Sequence, residues 1–326
     1  MPSFAFPQKI LLSLLGVLCL LIILNIFIQL HQFEDHKKHM AVFLPGSVKF
    51  FSIETRAMDQ EAKRLDIDLV TFNAGWDPYV QIEQVENVLL GKTFDAIALC
   101  SVDNQAMSAI IKLIREKSIP FVTFTNGVGH TQNQPSAIVN AHIGRDELKA
   151  GQILGKAVEL LARDTPINIV LIEGAPGTAP QRFREKGFLD SFDAHKDHWT
   201  LIEKLLIPGW NIQIVAREIQ RMVDEKTLGT VIVTQWAEAA VAVVHILQKN
   251  KIKDIKVVTL EFTQDVKNFM HTGDIQYATY SSIAEEGQKV IQTVQKLMDG
   301  EHVNFFIEIP QVLVTPGIAR GIVPEW

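Results

Sequence analysis

Residues 167–190 read INIVLIEGAPGTAPQRFREKGFLD, and this stretch decides the fold class. Residues 167–172 form an apolar run rich in β-branched side chains, which is typical of a buried parallel strand. A turn at residues 174–177 interrupts the strand. A helix is predicted from Thr178, with Pro180 in its first turn, where a missing N–H removes no intrahelical bond. Strand, turn and helix in this order form the repeating unit of a parallel α/β sheet.

Two arginines, Arg182 and Arg184, lie in the first turns of this predicted helix. In a parallel α/β sheet, ligands bind beyond the carboxyl ends of the strands, where the loop before this helix lies. A guanidinium placed there can hold a polar ligand through several fixed donors. From this stretch alone, the favoured interpretation is that both arginines lie on the solvent-exposed face of a surface helix.

The strand–helix alternation continues in both directions along the chain. Strands are predicted at residues 40–44, 66–72, 94–99, 119–124, 167–172, 199–206, 230–234, 256–261, 275–280, 305–309 and 312–315, and helices at residues 52–65, 81–90, 105–117, 146–161, 180–194, 212–224, 237–249, 263–270 and 284–298. A polar interval at residues 125–135 separates the two halves of the pattern. The sequence therefore predicts two consecutive α/β lobes with parallel sheets.

The amino-acid composition limits the number of domains and the classes of partner that the chain is predicted to have. The chain has 326 residues, 47% of them hydrophobic and 21% charged, which is enough for two domains with separate cores. The formal net charge of -6 indicates no basic surface, so nucleic acid is not a predicted partner. The two cysteines, Cys19 and Cys100, form no disulfide framework and indicate no compartment.

An apolar segment precedes the α/β region. Residues 10–30 carry no charge and consist mainly of Leu and Ile, a length that suits a membrane-spanning helix and exceeds the apolar core of a signal peptide. No small-x-small cleavage site follows, and Cys19 in mid-span is a poor lipoprotein acceptor. We therefore predict that residues 1–39 form an uncleaved membrane anchor and spacer, with a cleaved signal peptide as the alternative.

Sequence motifs for catalysis and cofactor binding are missing. The chain has no GxxxxGK[ST] loop, no GxGxxG after a predicted strand and no GxSxG elbow. Two HxxH pairs, His36/His39 and His195/His198, lack a thiolate or carboxylate at metal-ligand spacing. We predict no enzyme activity, no cofactor and no metal site, which favours reversible ligand binding.

Several segments carry a family resemblance through their order and spacing. They are the Phe50–Phe51 pair followed by EAKRLDIDLV, then FDAIALCSVDNQA, SIPFVTFTN, AHIGRDELKAGQILG, IEGAPGTAPQRFREKGF, IPGWN, VIVTQWAEAA, VVTLEF and TGDIQYATYS. With these segments, residues 40–314 resemble the type I periplasmic solute-binding proteins, namely the ribose- and galactose-binding group and its autoinducer-binding relatives. The family fold has two Rossmann-like lobes, joined by three crossings of the chain, that close over a ligand.

The resemblance implies domain boundaries and a site between the lobes. Lobe 1 would comprise residues 40–144 plus 282–311, and lobe 2 residues 145–281 plus 312–326. The residues that fall on the family's ligand-contact positions are Phe50, Phe51, Cys100, Thr125, Asn126, Arg145, Arg184, Trp210, Trp236, Glu261 and Ser281. The resemblance thus favours Arg184 as a ligand contact and leaves Arg182 as a second-layer or surface residue.

The sequence departs from the family pattern at several of these positions. Thr125–Asn126 replaces the usual Asp-Arg pair, and Cys100 replaces an asparagine. Trp236–Ala237 replaces Asn-Asp, Ser281 replaces a glutamine, and Glu261 stands where an aspartate is usual. The pocket is therefore predicted to be more aromatic, with fewer polar contacts.

Alternatives stay open at single positions. Phe50, Phe51, Trp210 and Trp236 also fit buried packing residues. Glu261 closes a predicted buried strand, where an unpaired carboxylate is costly, and Arg184 is its predicted charge partner once ligand binds.

The resemblance implies a periplasmic protein that binds a small sugar or a sugar-like, autoinducer-like ligand. The closed form would be recognised by an inner-membrane permease of an ABC transporter or by a sensor histidine kinase. A signal-sensing accessory protein with no transport role, or an interaction protein that binds no ligand, remains an alternative.

Overall fold

The computed structural model describes residues 20–22, 37–91, 93–128, 138–162 and 165–326. His39–Trp326 forms one compact unit. In these ranges no helix combines the length and apolar character needed to cross a membrane. The predicted anchor at residues 10–30 lies outside the described residues, apart from residues 20–22.

A six-stranded sheet, the first sheet, has the strand order β11-β5-β4-β3-β1-β2. Its strands are β1 (Lys38–Leu44), β2 (Ile67–Asn73), β3 (Ala96–Leu99), β4 (Phe121–Phe124), β5 (Ala141–Gly144) and β11 (Phe306–Glu308). The pairs β1/β3, β3/β4, β4/β5 and β5/β11 are parallel. Strands β3, β4 and β5 are buried throughout, and β3 has the continuous apolar sequence (AIAL) that is typical of such a strand.

Helices cover both faces of the first sheet. They are α1 (Lys49–Arg64), α2 (Pro78–Gly91), a 3-10 turn (Ala106–Ile110) continuing into α3 (Ile111–Lys117), and α9 (Ile283–Met298). Alternate side chains of β1 pack on opposite faces of the sheet. Met40 and Val42 pack in the cluster with α1 and α9, and Ala41 and Phe43 pack with α2 and α3. This period of two is what a strand buried on both sides requires.

A four-stranded parallel sheet, the second sheet, has the order β7-β6-β8-β9. Its strands are β6 (Ile167–Glu173), β7 (Trp199–Leu206), β8 (Val231–Thr234) and β9 (Lys256–Thr259). The helices of this half are α4 (Glu147–Ala162), α5 (Ala179–Ala194), α6 (Ile212–Glu225), α7 (Ala237–Lys249) and α8 (Gln264–Thr272), with 3-10 turns at Pro208–Trp210 and Ala319–Gly321. Beside the second sheet, β10 (Ala278–Tyr280) pairs with β12 (Val312–Val314) in antiparallel register.

The chain passes between the two sheets three times. It leaves β5 for α4 at residues 145–146, leaves β10 for α9 at residues 281–282, and leaves β11 for β12 at residues 309–311. The last two residues return to the first-sheet side. A Glu325 carboxylate oxygen accepts the N–H groups of Ile283 and Ala284 at 2.8 and 3.0 Å, which anchors the segment at the N-terminus of α9.

The prediction missed β5 and merged the 3-10 turn with α3. Ala141–Gly144 is only four residues long and reads AHIG, so a histidine and a glycine obscure its apolar pattern. The His142 side chain is nevertheless buried. A hydrogen bond of 2.9 Å between its Nδ1 and the hydroxyl of Thr123 on the neighbouring strand offsets the cost of burying the ring. Tertiary pairing therefore stabilises a strand that the local sequence does not indicate.

Helices α4 and α5 approach closely through two glycines. A Cβ built on Gly151 would lie 2.1 Å from the Arg184 carbonyl oxygen, and one on Gly187 would lie 2.0 Å from the Leu148 carbonyl oxygen. We expect Gly187→Ala to lower the free energy of unfolding by about 3 kcal/mol, because backbone must move to admit the methyl group.

Urea denaturation checks this prediction. Gly91→Ala is the matched control, since a Cβ there has its nearest neighbour at 3.7 Å and meets only ordinary contact. A Gly187→Ala variant as stable as the Gly91→Ala variant would contradict the close approach of the two helices.

Candidate functional site

A cavity of about 460 Å³ lies where the carboxyl ends of the strands of both sheets converge. Its wall includes Trp76 from the turn after β2, Thr125 and Asn126 directly after β4, and Arg145 directly after β5. The second-sheet half adds residues that follow β7, β8 and β9, namely Trp210, Trp236 and Glu261. Its volume and placement are those of a small-molecule site in an α/β protein.

The structure brings most of the predicted site residues together on this wall. Those that line the cavity are Phe50, Phe51, Thr125, Asn126, Arg145, Arg184, Trp210, Trp236 and Glu261. Cys100 does not line it: the residue is fully buried, its carbonyl oxygen accepts from Gln81 Nε2 at 2.9 Å, and burial raises the pKa of its thiol well above the ordinary value. Ser281 lines a separate cavity of about 10 Å³ beside Arg145 and Glu261. A ligand contact by any of these residues stays a prediction.

The first-sheet side contributes an aromatic wall. Phe50 and Phe51 lie in the first turn of α1 with ring centroids 5.3 Å apart in a T-shaped arrangement, and the Trp76 ring is 6.4 Å from Phe51. Both phenylalanines also belong to the hydrophobic core of this half. They are therefore at once packing residues and cavity residues, so the two interpretations of the sequence are compatible.

The second-sheet side contributes two tryptophans. The rings of Trp210 and Trp236 are 5.1 Å apart and nearly perpendicular. Trp210 lies flat against Gly174, where a Cβ would be 2.0 Å from the indole. The glycine at the end of β6 thus sets how deeply the Trp210 ring lies in the wall.

Four of the eight non-glycine residues with left-handed φ in the described part of the chain lie on the cavity wall. Trp76, Thr125, Trp210 and Glu261 all have left-handed φ values, of 68°, 51°, 56° and 69°. A non-glycine residue in this region is held there by its surroundings at a cost of roughly 1–3 kcal/mol, and such residues cluster at ligand sites.

A buried ion network supports the wall behind the aromatic rings. Arg184 donates to both carboxylate oxygens of Glu147 at 2.5 and 3.0 Å and to the carbonyl oxygen of Gln235 at 2.7 Å. Arg145 lies between Glu147, at 3.6 Å, and Glu286, at 3.7 Å. Arg184 thus forms a bidentate pair with Glu147, and its charge also lowers the pKa of Glu261. The predicted pairing of Arg184 with Glu261 on ligand binding stays a prediction.

The local sequence explains how Arg184 enters this network. Thr178 caps α5, its side-chain oxygen accepting from Gln181 N–H at 3.4 Å, and so sets the phase of the helix. Pro180, Arg184 and Phe188 then fall at intervals of four residues on the buried face. Arg182 points to a different face and is half-buried.

Glu286, together with one further carboxyl, Glu54, extends the network into the first-sheet half. The Thr125 hydroxyl lies 2.7 Å from Glu286 and 3.3 Å from Glu54. Burial raises the pKa of the Glu54 carboxyl well above its ordinary value, and the neighbouring Glu286 raises it further. Burial also raises the pKa of Glu286, but Arg145 opposes that effect. Burial and Glu286 thus favour the neutral form of Glu54, whereas Arg145 favours the charged form of Glu286.

Two residues important for the cavity were not identified from the sequence. Trp76 is not among the predicted site residues, although its place at the carboxyl end of β2 could have indicated it. Glu238 lies in the first turn of α7 and lines the cavity. Burial raises the pKa of Glu238 to about 7, with a further contribution from Glu261. No local motif marks Glu238, since only the folded chain brings it beside Glu261.

A further carboxyl with a raised pKa lies at the end of β6. Glu173 is fully buried and accepts from Gln181 Nε2, and burial raises its pKa to about 7 from an ordinary value of 4.5. The folded-state pKa is the higher one, so the associated stability is fully present below pH 4.5 and is lost as the pH rises through about 7.

We therefore expect Glu173→Gln to be more stable than the wild type by about 3 kcal/mol at pH 8, since one pKa unit corresponds to about 1.4 kcal/mol. The two proteins should have nearly equal stability at pH 4. Chemical denaturation at both pH values measures the difference, and a gain of the same size at pH 4 and pH 8 would rule out titration of Glu173 as its cause.

Comparison with known proteins agrees with this arrangement. A model of the periplasmic binding protein domain matches residues 40–302. The ribose import binding protein RbsB of Escherichia coli (strain K12) is 23% identical over 258 residues, which cover 78% of this chain and 82% of that protein. The matched relatives are binding proteins, which confirms the prediction that the chain is not an enzyme.

Solved structures share the fold at low sequence identity. An ABC transporter solute binding protein from Bacillus halodurans C-125 with bound myo-inositol superposes with a TM-score of 0.81 and 20% identity, covering 89% of this chain and 98% of that one. The Caulobacter myo-inositol binding protein bound to myo-inositol gives a TM-score of 0.79 and 15% identity, covering 88% and 96%. The family indicates a periplasmic location. The predicted resemblance is confirmed: the chain belongs to the periplasmic binding protein family, as a type I solute-binding protein.

Proposed function

We propose that the chain binds a small sugar or cyclic polyol in the 460 Å³ cavity and presents it to an inner-membrane permease of an ABC import system. The observation that carries this proposal is the cavity itself, which combines aromatic walls from both halves with polar groups at the carboxyl ends of the strands. Aromatic rings suit the apolar faces of a sugar ring, and the polar groups suit its hydroxyls.

The relatives support this ligand class. The Escherichia coli relative is named for ribose import, and the Bacillus halodurans and Caulobacter structures hold myo-inositol. Another similar structure, from Agrobacterium radiobacter, is a carbohydrate transporter binding protein in complex with D-arabinose. Recognition by a sensor kinase has no comparable support, and the proposed membrane anchor at residues 10–30 remains a separate proposal.

We also propose that the two halves act as lobes that close over the ligand, with residues 40–144 plus 282–311 in lobe 1 and residues 145–281 plus 312–326 in lobe 2. The three passes of the chain between the sheets support this division. Glu325 and Trp326 depart from this division, because they contact lobe 1. Glu325 binds the N-terminus of α9, and the Trp326 ring lies 5.9 Å from Phe50. The C-terminal segment thus contacts both proposed lobes.

Contacts across the cavity support the closed arrangement. Asn104 N–H donates to the Gly177 carbonyl oxygen at 3.3 Å, and a Cβ on Gly177 would lie 2.3 Å from Asp103 Oδ2. A Cβ on Gly209 would lie 3.8 Å from the Trp76 ring. These contacts join loops of the first-sheet half to loops of the second-sheet half.

We expect Gly177→Ala to weaken ligand binding about tenfold, because a methyl group there meets Asp103 in the closed form and Gly177 has φ of 87°. Titration calorimetry against myo-inositol measures the effect. Gly273→Ala is the matched control, since Gly273 has a similar φ of 83° but a Cβ there meets nothing within 4 Å. Equal affinities for the two variants would contradict closure at Gly177.

Ligand-dependent thermal stability tests the proposed function. The full-length chain is heated with ribose, arabinose, galactose, fructose and myo-inositol in turn. A ligand at 100 times its Kd should stabilise the folded state by about 2.7 kcal/mol, which is a readily measured shift in Tm. No shift with any sugar or polyol would contradict the proposal and would favour an interaction protein that binds no such ligand.

A further inference from the structure

Two carboxyl groups on the cavity wall lie outside the buried ion pairs. The wall guanidiniums are already neutralised, Arg184 by Glu147 and Arg145 by Glu147 and Glu286. Glu238 and Glu261 both line the cavity and are half-buried. Together they add negative charge to a site whose own positive charges are matched.

The two carboxyls lie close to each other at the N-terminus of α7. A Glu261 carboxylate oxygen accepts the N–H of Ala237 at 3.3 Å, and Glu238 is the next residue along the helix. Burial raises the pKa of both carboxyls, and the charge of Glu261 raises that of Glu238 further. Lys49 lowers the pKa of Glu238, but this lysine is exposed at the rim of the cavity. The buried guanidiniums of Arg184 and Arg145 lower the pKa of Glu261, but Arg184 is already paired with Glu147, and Arg145 lies between Glu147 and Glu286. The two cavity carboxyls therefore exceed the positive charge around them.

A third polar residue, Asn126, lies on the same wall. Asn126 is 3% exposed and lines the cavity; its side-chain N–H donates to the Ser101 carbonyl oxygen at 2.7 Å. Its Oδ1 receives no hydrogen bond from the part of the chain that the structure describes. A buried acceptor without a donor is costly, so this oxygen is a polar group that the described residues leave unsatisfied beside the cavity.

The aromatic wall is also suited to positive charge. The guanidinium of Arg145 lies 4.6 Å from the centroid of the Phe50 ring, and that of Arg184 lies 5.8 Å from the Trp210 ring. Ring faces attract cations at such distances. Trp236, two residues before Glu238 in the sequence, adds a further aromatic ring to the cavity wall.

We propose that the ligand carries a protonated amine, which binds at Glu238 and Glu261 while the rest of the molecule packs on the aromatic wall. The ligand class is an amino-substituted sugar or amino-substituted cyclic polyol. This inference rests on the proposed sugar- or polyol-binding function. A cation supplies what the site lacks: a charge opposite to the carboxylates and N–H donors for the free acceptors.

Matched ligand pairs test the inference. The full-length chain is titrated by calorimetry at pH 7.5 with glucosamine, glucose and N-acetylglucosamine, and with an aminodeoxyinositol and myo-inositol. We expect each free amine to bind at least about tenfold more tightly than its hydroxyl counterpart, because it gains both ion pairing and cation–π contact. N-acetylglucosamine should lose this advantage, since acetylation removes the charge and keeps the ring.

Glutamine variants test whether the two carboxylates cause the preference for the amine. Glu238→Gln and Glu261→Gln should each reduce the preference for the amine at least tenfold and change the affinity for the neutral partner much less. The amide oxygen at position 261 can still accept the Ala237 N–H, so the fold is retained, and thermal unfolding verifies this. Glu86→Gln is the control, because Glu86 is exposed on α2 and does not line the cavity.

The outcomes separate this inference from the function on which it rests. Neutral sugars that bind as tightly as their amines would overturn the inference and leave the proposed function intact. A preference for the amine that persists in both glutamine variants would also overturn it. Binding of neither series would contradict the proposed function and the inference together.

Discussion

Arg184→Ala is expected to lower the free energy of unfolding by about 3 kcal/mol and to abolish ligand binding. The substitution removes a guanidinium that is 3% exposed and leaves Glu147 buried without its bidentate partner. Breaking a buried ion pair from one side costs roughly 3–5 kcal/mol, because an uncompensated charge remains. We take the lower end of that range since Arg145 lies 3.6 Å from the same carboxylate.

A double-mutant cycle identifies the source of the loss. Glu147→Gln removes the orphaned charge, so the double variant should be more stable than the sum of the two single effects predicts. Arg182→Ala is the control, since Arg182 is half-buried on another face of α5 and should contribute little. Strict additivity in urea denaturation, or an Arg184→Ala variant as stable as Arg182→Ala, would show that the Arg184–Glu147 pair does not stabilise the fold.

Trp210→Ala is expected to weaken binding of myo-inositol by about 30-fold or more with a small effect on stability. A tryptophan at the centre of a binding site contributes about 2 kcal/mol or more on truncation, and 1.4 kcal/mol corresponds to a factor of ten. Trp210 is only partly buried and lies in a short 3-10 turn, so its removal does not open the core.

A second variant tests the position of the indole without removing it. In Gly174→Ala the added methyl group would occupy space 2.0 Å from the Trp210 ring, so the ring must move into the cavity. We expect a comparable loss of affinity, measured by calorimetry. Tyr79→Ala is the control, because Tyr79 is 80% exposed and does not line the cavity. Wild-type affinity in both Trp210→Ala and Gly174→Ala would exclude Trp210 from the ligand site.

The fold class was predictable because the strands and helices carry strong local patterns. Strands buried on both faces, such as β6, read as continuous apolar runs, and the glycine-rich turns between them mark their ends. β5 was missed because four residues that include His142 give too weak a pattern, and pairing with β4 and β11 decides their conformation. α1 and α2 each begin three residues before their predicted starts, because their first turns are not periodic, whereas their ends differ by one residue from the predicted ends.

The site was only partly predictable because its charges are set by long-range neighbours. The placement of Trp210 and Arg184 on the cavity wall agrees with what the family resemblance implied. The partner of Arg184 could not be read from the sequence, since Glu147 lies 37 residues away and meets it only when α4 packs on α5. The place of Glu238 in the site could not be read from the sequence either, because it depends on the packing of α7 against the end of β9 near Glu261.

Intrinsic fluorescence tests most directly whether ligand enters the cavity. Of the five tryptophans, Trp76, Trp210 and Trp236 line the cavity and Trp326 packs on Phe50, whereas Trp199 is buried in the core beside Phe188. Titration of the full-length Trp199→Phe variant with sugars, polyols and their amines should give a saturable change in emission like that of the wild type. Emission that stays constant in the variant with every compound would contradict ligand binding between the two sheets.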